Sequence, residues 1–280
     1  MREMQTSLLP VGIVVPTMDN TFFSRLADCA ERFLYSKGCM ALIMSSDNHA
    51  GKEKIQLRTL AATGVRGILC VSGLSELPEG LVPDNLPMIW IDRKPRAERV
   101  IPCVSNDDRA AMAVAMNYLI RTGCRHILLL PGYLAETRTS PRVTGYEEAL
   151  KKKGLKFDPA YILHRAGRKP SETETEELVR KTMESGLPVD AIITSSDRAA
   201  FGAITALHQV GLYVPEDVKL VCFDNSPYSA MAAPAITSMD RQPRKLAETA
   251  CTHLLSMLRG ENVPEETIVP VSLIRRDSTR

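Results

Sequence analysis

AIITSSDRAAFGAITALHQV, residues 191–210, reads in three parts: a short apolar run over 191–194, a polar turn Ser195-Ser196-Asp197, and a stretch whose small and apolar residues recur at helical spacing as far as Gly211. An apolar run this short, bounded by a turn, fits a strand buried on both faces. The periodic stretch after it fits a helix that Asp197 can cap and Gly211 can close. A strand that empties through a polar turn into a helix is half of a βαβ unit. The same grammar recurs in two series. The first has strands near 11–15, 40–44, 67–71 and 87–91, with helices near 22–36, 51–63 and 107–121, the last stopped at Gly123. The second has strands near 126–130, 160–163, 190–194 and 218–222, with helices near 141–152, 172–184 and 197–210. Each series predicts one doubly wound α/β unit around a parallel sheet. The 280 residues suit two such lobes of about 100–150 residues each.

Composition narrows the function classes. Apolar residues make up 44% of the chain, yet no uninterrupted apolar run approaches the roughly 20 residues that span a bilayer, so no membrane partner is expected. The formal charge is +2 and the Lys and Arg residues are dispersed, which leaves no electrostatic footprint for nucleic acid within these residues. The start MREMQTSLLP has no apolar core of signal-peptide length, and a cytoplasmic location is expected. Seven cysteines, an odd count without a C-x-x-C pair, mostly sit among apolar neighbours, as in GILCV and LVCF. They read as reduced core thiols. The five histidines lack ligand spacing, so neither a metal nor another cofactor is expected. No phosphate loop, nucleophile elbow or dinucleotide fingerprint occurs, and catalysis is not expected.

Parallel sheets place ligands at the carboxyl ends of their strands, where loops open and the following helices present unpaired N–H groups. Here those ends are polar. VPTMDNTFF (15–23) leaves the first strand with Asn20 ahead of Phe22 and Phe23; IDRK carries Asp92, SNDDRA carries Asp107 and Asp108, SSDRA carries Ser196 and Asp197, and FDNSP carries Asp224. A ring can stack on the apolar face of a sugar or base while amides and carboxylates take its polar edge. The same residue types also serve as core anchors and helix caps, and the pattern alone leaves both roles open.

The order and spacing of VGIVVPTMDNTFF, ALIMSSDNHAGKE, GVRGILCVSG, MIWIDR, LIRTGCRHILLLPG, RVTGYEEAL, the run from AIITSSDRAA to GLYVPEDVKLVCFDNSP, PAITSMD and PVSLIRRDST closely resemble the effector-binding core of the lactose/galactose-type (LacI/GalR) transcriptional repressors. The resemblance implies a two-lobed fold similar to periplasmic sugar-binding proteins of type I, joined by three crossovers: 8–123 plus 243–267 as one lobe, 124–242 plus 268–280 as the other. RKLAETACTHLLSMLRG would be a helix of the first lobe, packing through Leu246, Ala250, Leu254, Met257 and Leu258. The resemblance further implies a sugar, phosphosugar or sugar-acid effector bound between the lobes, and a homodimer pairing through helix 51–63, strand 67–71 and a matching second-lobe surface. Operator DNA would be contacted only through an N-terminal helix-turn-helix domain that is absent from this sequence; MREMQTSLLPVG resembles the connector that follows it.

Carried over position by position, the resemblance implies ligand contacts from Asn20, Phe22 and Phe23, from Asp108 with Asp107 beside it, from Arg142 in RVTGY, and from Asp224. Ser196 stands where the family usually has Asn, Cys222 where it has Gly, and Arg241 where a ligand-contacting Gln can occur. Arg138 in ETRTSPR suits an acidic ligand or a solvated surface equally. An extracytoplasmic sugar-binding protein of a transport system is the alternative, against which the VPEDV segment, the unpaired cysteines and the lack of an export signal weigh.

Overall fold

The computed structural model describes residues 8–132, 140–164 and 172–280. Arg138 lies outside them. The chain divides into two compact units, one made of residues up to Asn106 with Gln242–Val269, the other of Asp107–Arg241 with Pro270–Arg280. Along the chain the first unit begins with β1 (Leu9–Val15), α1 (Thr21–Ser36), β2 (Cys39–Ser45), α2 (Ala50–Ala62), β3 (Gly67–Cys70), β4 (Met88–Ile91) and β5 (Cys103–Ser105). The second unit holds α3 (Asp108–Arg121), β6 (Ile127–Leu130), α4 (Pro141–Lys152), α5 (Glu172–Glu184), β7 (Ala191–Thr194), α6 (Asp197–Gln209), β8 (Lys219–Phe223), α7 (Pro227–Met231) and β9 (Thr237–Asp240). The chain then returns to the first unit with α8 (Pro243–Leu258) and β10 (Glu266–Ile268), and ends in the second with β11 (Ser272–Ile274).

The first unit's sheet has the order β10-β5-β4-β3-β1-β2, with every described pairing parallel. Both its faces are covered, because alternate residues of each strand point to opposite sides. Val11, Ile13, Val15, Leu69, Ile89 and Ile91 pack with α1 and α8. Val14, Ile68, Cys70, Met88 and Trp90 pack with Leu57 and Leu60 of α2. The buried stripe of α8 is Leu246, Ala247, Ala250, Cys251 and Leu254, with Leu255 and Met257 packed at its edge; the expected Leu258 is only half-buried.

The second sheet has the order β11-β9-β8-β7-β6, parallel except for β11, which runs antiparallel to β9. One face carries α3 and α4, through Met112, Met116, Leu119, Tyr146 and Leu150 against Ile127, Leu129, Ile193 and Val221. The other carries α5 and α6.

The expected lobe boundary after residue 123 moves to Asn106/Asp107, since α3 packs on α4. The cause is local: α4 passes so close to α3 that a Cβ on Gly145 would stand 2.5 Å from the Arg109 carbonyl oxygen. Only glycine permits that approach. A second difference is the strand expected at 160–163. Pro159–Tyr161 forms a 3-10 turn, its first N–H removed by proline and its next accepted by the Asp158 carboxylate, and only Ile162 bridges to Leu129.

Candidate functional site

In the second unit, four charged side chains from four separate segments meet at the carboxyl ends of the strands. Asp108 is the first residue of α3, Arg142 the second of α4, Asp224 follows β8 and Arg241 follows β9. Arg142 Nε donates to Asp108 Oδ2 at 3.0 Å and its Nη1 donates to the Ser195 carbonyl oxygen at 3.2 Å. Its guanidinium carbon lies 3.9 Å from the centroid of the Phe223 ring. One planar fork is thus held at its edge by a carboxylate and a carbonyl, and at its face by an aromatic ring. Arg241 lies 3.8 Å from Asp108 Oδ1 and 3.5 Å from Asp224 Oδ1. Three of the four are nearly out of solvent, with side-chain exposures of 9% for Arg142, 5% for Arg241 and 3% for Asp224; Asp108 keeps 23%.

The turn that presents Asp224 is built to hold it there. Asp224 and Asn225 both adopt left-handed backbone, φ 91° and 49°, a conformation that costs a non-glycine residue energy unless its surroundings enforce it. They do: the Asp224 N–H donates to Met239 O, Asn225 N–H to Ser238 Oγ, and Ser226 N–H to Asp197 Oδ2. Arg276 donates from Nη2 to Asn225 Oδ1 and from Nη1 to Ile236 O. Burial pushes the Asp197 carboxyl above its ordinary range, opposed by the hydrogen bonds from Cys222 and Ser226. The Cys222 thiol donates to Asp197 Oδ1 at 2.9 Å; burial, reinforced by that carboxylate, raises it well above the usual thiol value. Cys222 is therefore a neutral strut under the Asp224 turn.

Two candidates in this unit act as caps. Asp107 Oδ1 accepts from Ala110 N and starts α3. Ser196 Oγ, not the expected Asp197, accepts from Ala199 N and caps α6.

The first unit holds its own strand-end group. Asn20 Oδ1 accepts from Phe22 N and caps α1. Phe22 is 1% exposed and belongs to the core, so its expected stacking role is not available to it. Phe23 is partly exposed, meets Phe22 edge-on at 5.2 Å, and carries the Arg93 guanidinium 5.6 Å from its centroid. Asp92, with φ 66°, places a carboxylate oxygen 3.7 Å from Arg93 Nε. Arg93 was within the quoted IDRK turn but had no distinguishing signal of its own. Glu53 was missed altogether. Fully buried on α2, it accepts from Ser72 Oγ and from Gly73 N at 2.8 Å, tying down the loop after β3. Burial raises its carboxyl above the ordinary value.

Among the described residues, no group of three or more His, Cys, Asp or Glu side chains is arranged to hold a metal. No described helix is long and apolar enough to cross a membrane.

Residues 116–279, more than half of the sequence, match the periplasmic binding protein-like domain. The chain belongs to that family. Its relatives place it among the regulators of the LacI type rather than among transport receptors. It is 29% identical over 255 residues to the HTH-type transcriptional repressor PurR of Aliivibrio fischeri, covering 90% of this chain and 75% of the repressor. It is 26% identical over 273 residues to the ribose operon repressor of Halalkalibacterium halodurans, covering 96% of this chain and 79% of that one. Among solved structures, a periplasmic binding protein/LacI transcriptional regulator from Alkaliphilus metalliredigens, complexed with D-xylulofuranose, superposes with a TM-score of 0.86 at 26% identity, over 97% of this chain and 99% of that one. The periplasmic-binding-protein-like chain described here is thus the effector-binding core of a LacI-type transcriptional regulator.

Proposed function

We propose that this core senses a small polyhydroxylated effector through the Asp108, Arg142, Asp224 and Arg241 cluster, with Asn20, Phe23 and Asp92 as the contact residues of the first unit. The observation that carries the reading is the preformed cluster itself, in which buried Arg142, Arg241 and Asp224 and half-buried Asp108 are held at strand ends by a strained turn and an aromatic platform. Such preorganisation lowers the cost of ordering side chains on binding. The D-xylulofuranose bound by the Alkaliphilus regulator supports a sugar or a close derivative, a phosphosugar or sugar acid included. We read the role as recognition without catalysis, as for the relatives named as repressors. Binding acts in the cytoplasm, in a homodimer whose operator contact is made by a separate DNA-reading domain. Effector shifts that dimer's conformational populations by its differential affinity for them.

A thermal-shift screen of sugars, phosphosugars, sugar acids and nucleobases tests the proposal, because a ligand that binds only the folded state raises the melting temperature. A sugar or sugar derivative should do so. Stabilisation by nucleobases alone would overturn the effector class, and no stabilisation by any of them would overturn the reading.

A further inference from the structure

We infer that the effector carries no net charge: the arginines at the second unit's strand ends are already neutralised by carboxylates built into the fold. This rests on the effector-binding reading and narrows it. Arg142 spends Nε on Asp108 at 3.0 Å and Nη1 on Ser195 O at 3.2 Å, while Phe223 sits 3.9 Å from its guanidinium carbon. Arg241 stands 3.5 Å from Asp224 and 3.8 Å from Asp108. Two guanidinium groups and two carboxylates make a group of zero net charge, and the low exposure of Arg142, Arg241 and Asp224 leaves little water to screen an added charge.

A phosphate or carboxylate ligand would face an unfavourable balance. An anion that pairs with either arginine brings a further negative charge beside Asp108 and Asp224, with no cation left to balance it, in a site where unbalanced charge is heavily penalised. The start of α3 does not help it: Asp107 is its cap and Asp108 lies in its first turn, so that positive helix end already faces carboxylates. A neutral polyol adds no charge. Its hydroxyls donate to the carboxylate oxygens and accept from guanidinium N–H groups while the ion pairs stay in place.

Matched compounds decide the matter: D-ribose against ribose 5-phosphate, and D-glucose against glucose 6-phosphate and gluconate, together with the other neutral pentoses and hexoses and their phosphates. Each is titrated into the whole chain by calorimetry and thermal shift at low ionic strength. The expected result is a neutral sugar that binds, with its phosphate or acid about tenfold weaker or worse. A charged member that binds as tightly as its neutral partner overturns the inference and leaves the effector reading standing. If no sugar, phosphate or acid binds at all, both fall together. Inorganic phosphate supplies a second readout. Asp108→Asn and Asp224→Asn each remove one carboxylate from the group, and at least one should gain stabilisation by inorganic phosphate that the parent lacks. A parent stabilised by inorganic phosphate as strongly as either variant overturns the inference.

Discussion

Replacing Gly145 by alanine sets two effects of opposite sign against each other. Alanine is the better helix former by about 1 kcal/mol in a helix interior, which would favour the variant. Against that, the new Cβ would lie 2.5 Å from the Arg109 carbonyl oxygen and 3.0 Å from Met112 Cβ, where ordinary contact begins near 3.4 Å. The closer atom is backbone and cannot rotate aside, so α4 must retreat from α3 by about 0.9 Å, and overpacking of this kind costs about 1–3 kcal/mol. Taking the upper end because the obstacle is rigid, the net loss is about 2 kcal/mol, or a fall of about 4–8 °C in melting temperature for a unit of this size. The same retreat carries Arg142, one turn earlier on α4, away from Asp108 and Phe223. Thermal and urea unfolding of Gly145→Ala against the parent measures the loss. A variant as stable as the parent, or more stable, would refute the claim that close α3–α4 packing positions the arginine.

Three further outcomes follow. Burial raises the Glu53 carboxyl, so its contribution to stability is full below the unfolded-state value near pH 4 and declines as pH rises through the raised folded-state value; the melting temperature of Glu53→Gln relative to the parent should therefore improve from about pH 4 to about pH 7, and a flat difference would contradict the assignment. A thiol reagent should modify Cys29, the one partly exposed cysteine, first, and reach the six buried ones only on unfolding; fast labelling of several thiols in the native chain would contradict the packing. Light scattering should give about twice the 30.9 kDa chain mass, as expected for a two-fold symmetric pair, and a strict monomer at high concentration would remove the dimer from the proposal.

The strand–turn–helix rhythm was legible because it depends on local periodicity. α4, α5 and α6 fall within a residue of their expected limits, each marked by an amphipathic stripe between turn residues. Strands β9, β10 and β11, with sequences TSMD, ETI and SLI, carry too few residues to show a period, and their pairing is imposed by neighbours distant in the chain. The strand expected at 160–163 failed because Pro159 and the Asp158 cap outweighed the apolar run. At the site, Asp108 and Asp224 stand out in the sequence as carboxylates in polar strand-end turns, whereas Arg142 and Arg241 came from the resemblance to repressor cores. The contacts that hold them did not, since the Phe223 platform under Arg142 and the Arg241 ion pairs exist only once segments far apart in sequence meet. Asn20, Asp107 and Ser196 illustrate the opposite case: a polar residue at a strand end was visible, but the local N–H that its side chain would satisfy was not.

The largely buried arginine–aspartate cluster is held to recognise the effector. Calorimetric titration of the parent and of Arg142→Ala with the neutral sugar that most raises the parent's melting temperature tests it most directly. The parent should bind at one site per chain, and the variant, still folded by its melting curve, should lose about 2–5 kcal/mol, tens to thousands of times in affinity. A folded Arg142→Ala that binds the sugar as tightly as the parent would contradict the claim and leave the cluster as a scaffold for the strand ends alone.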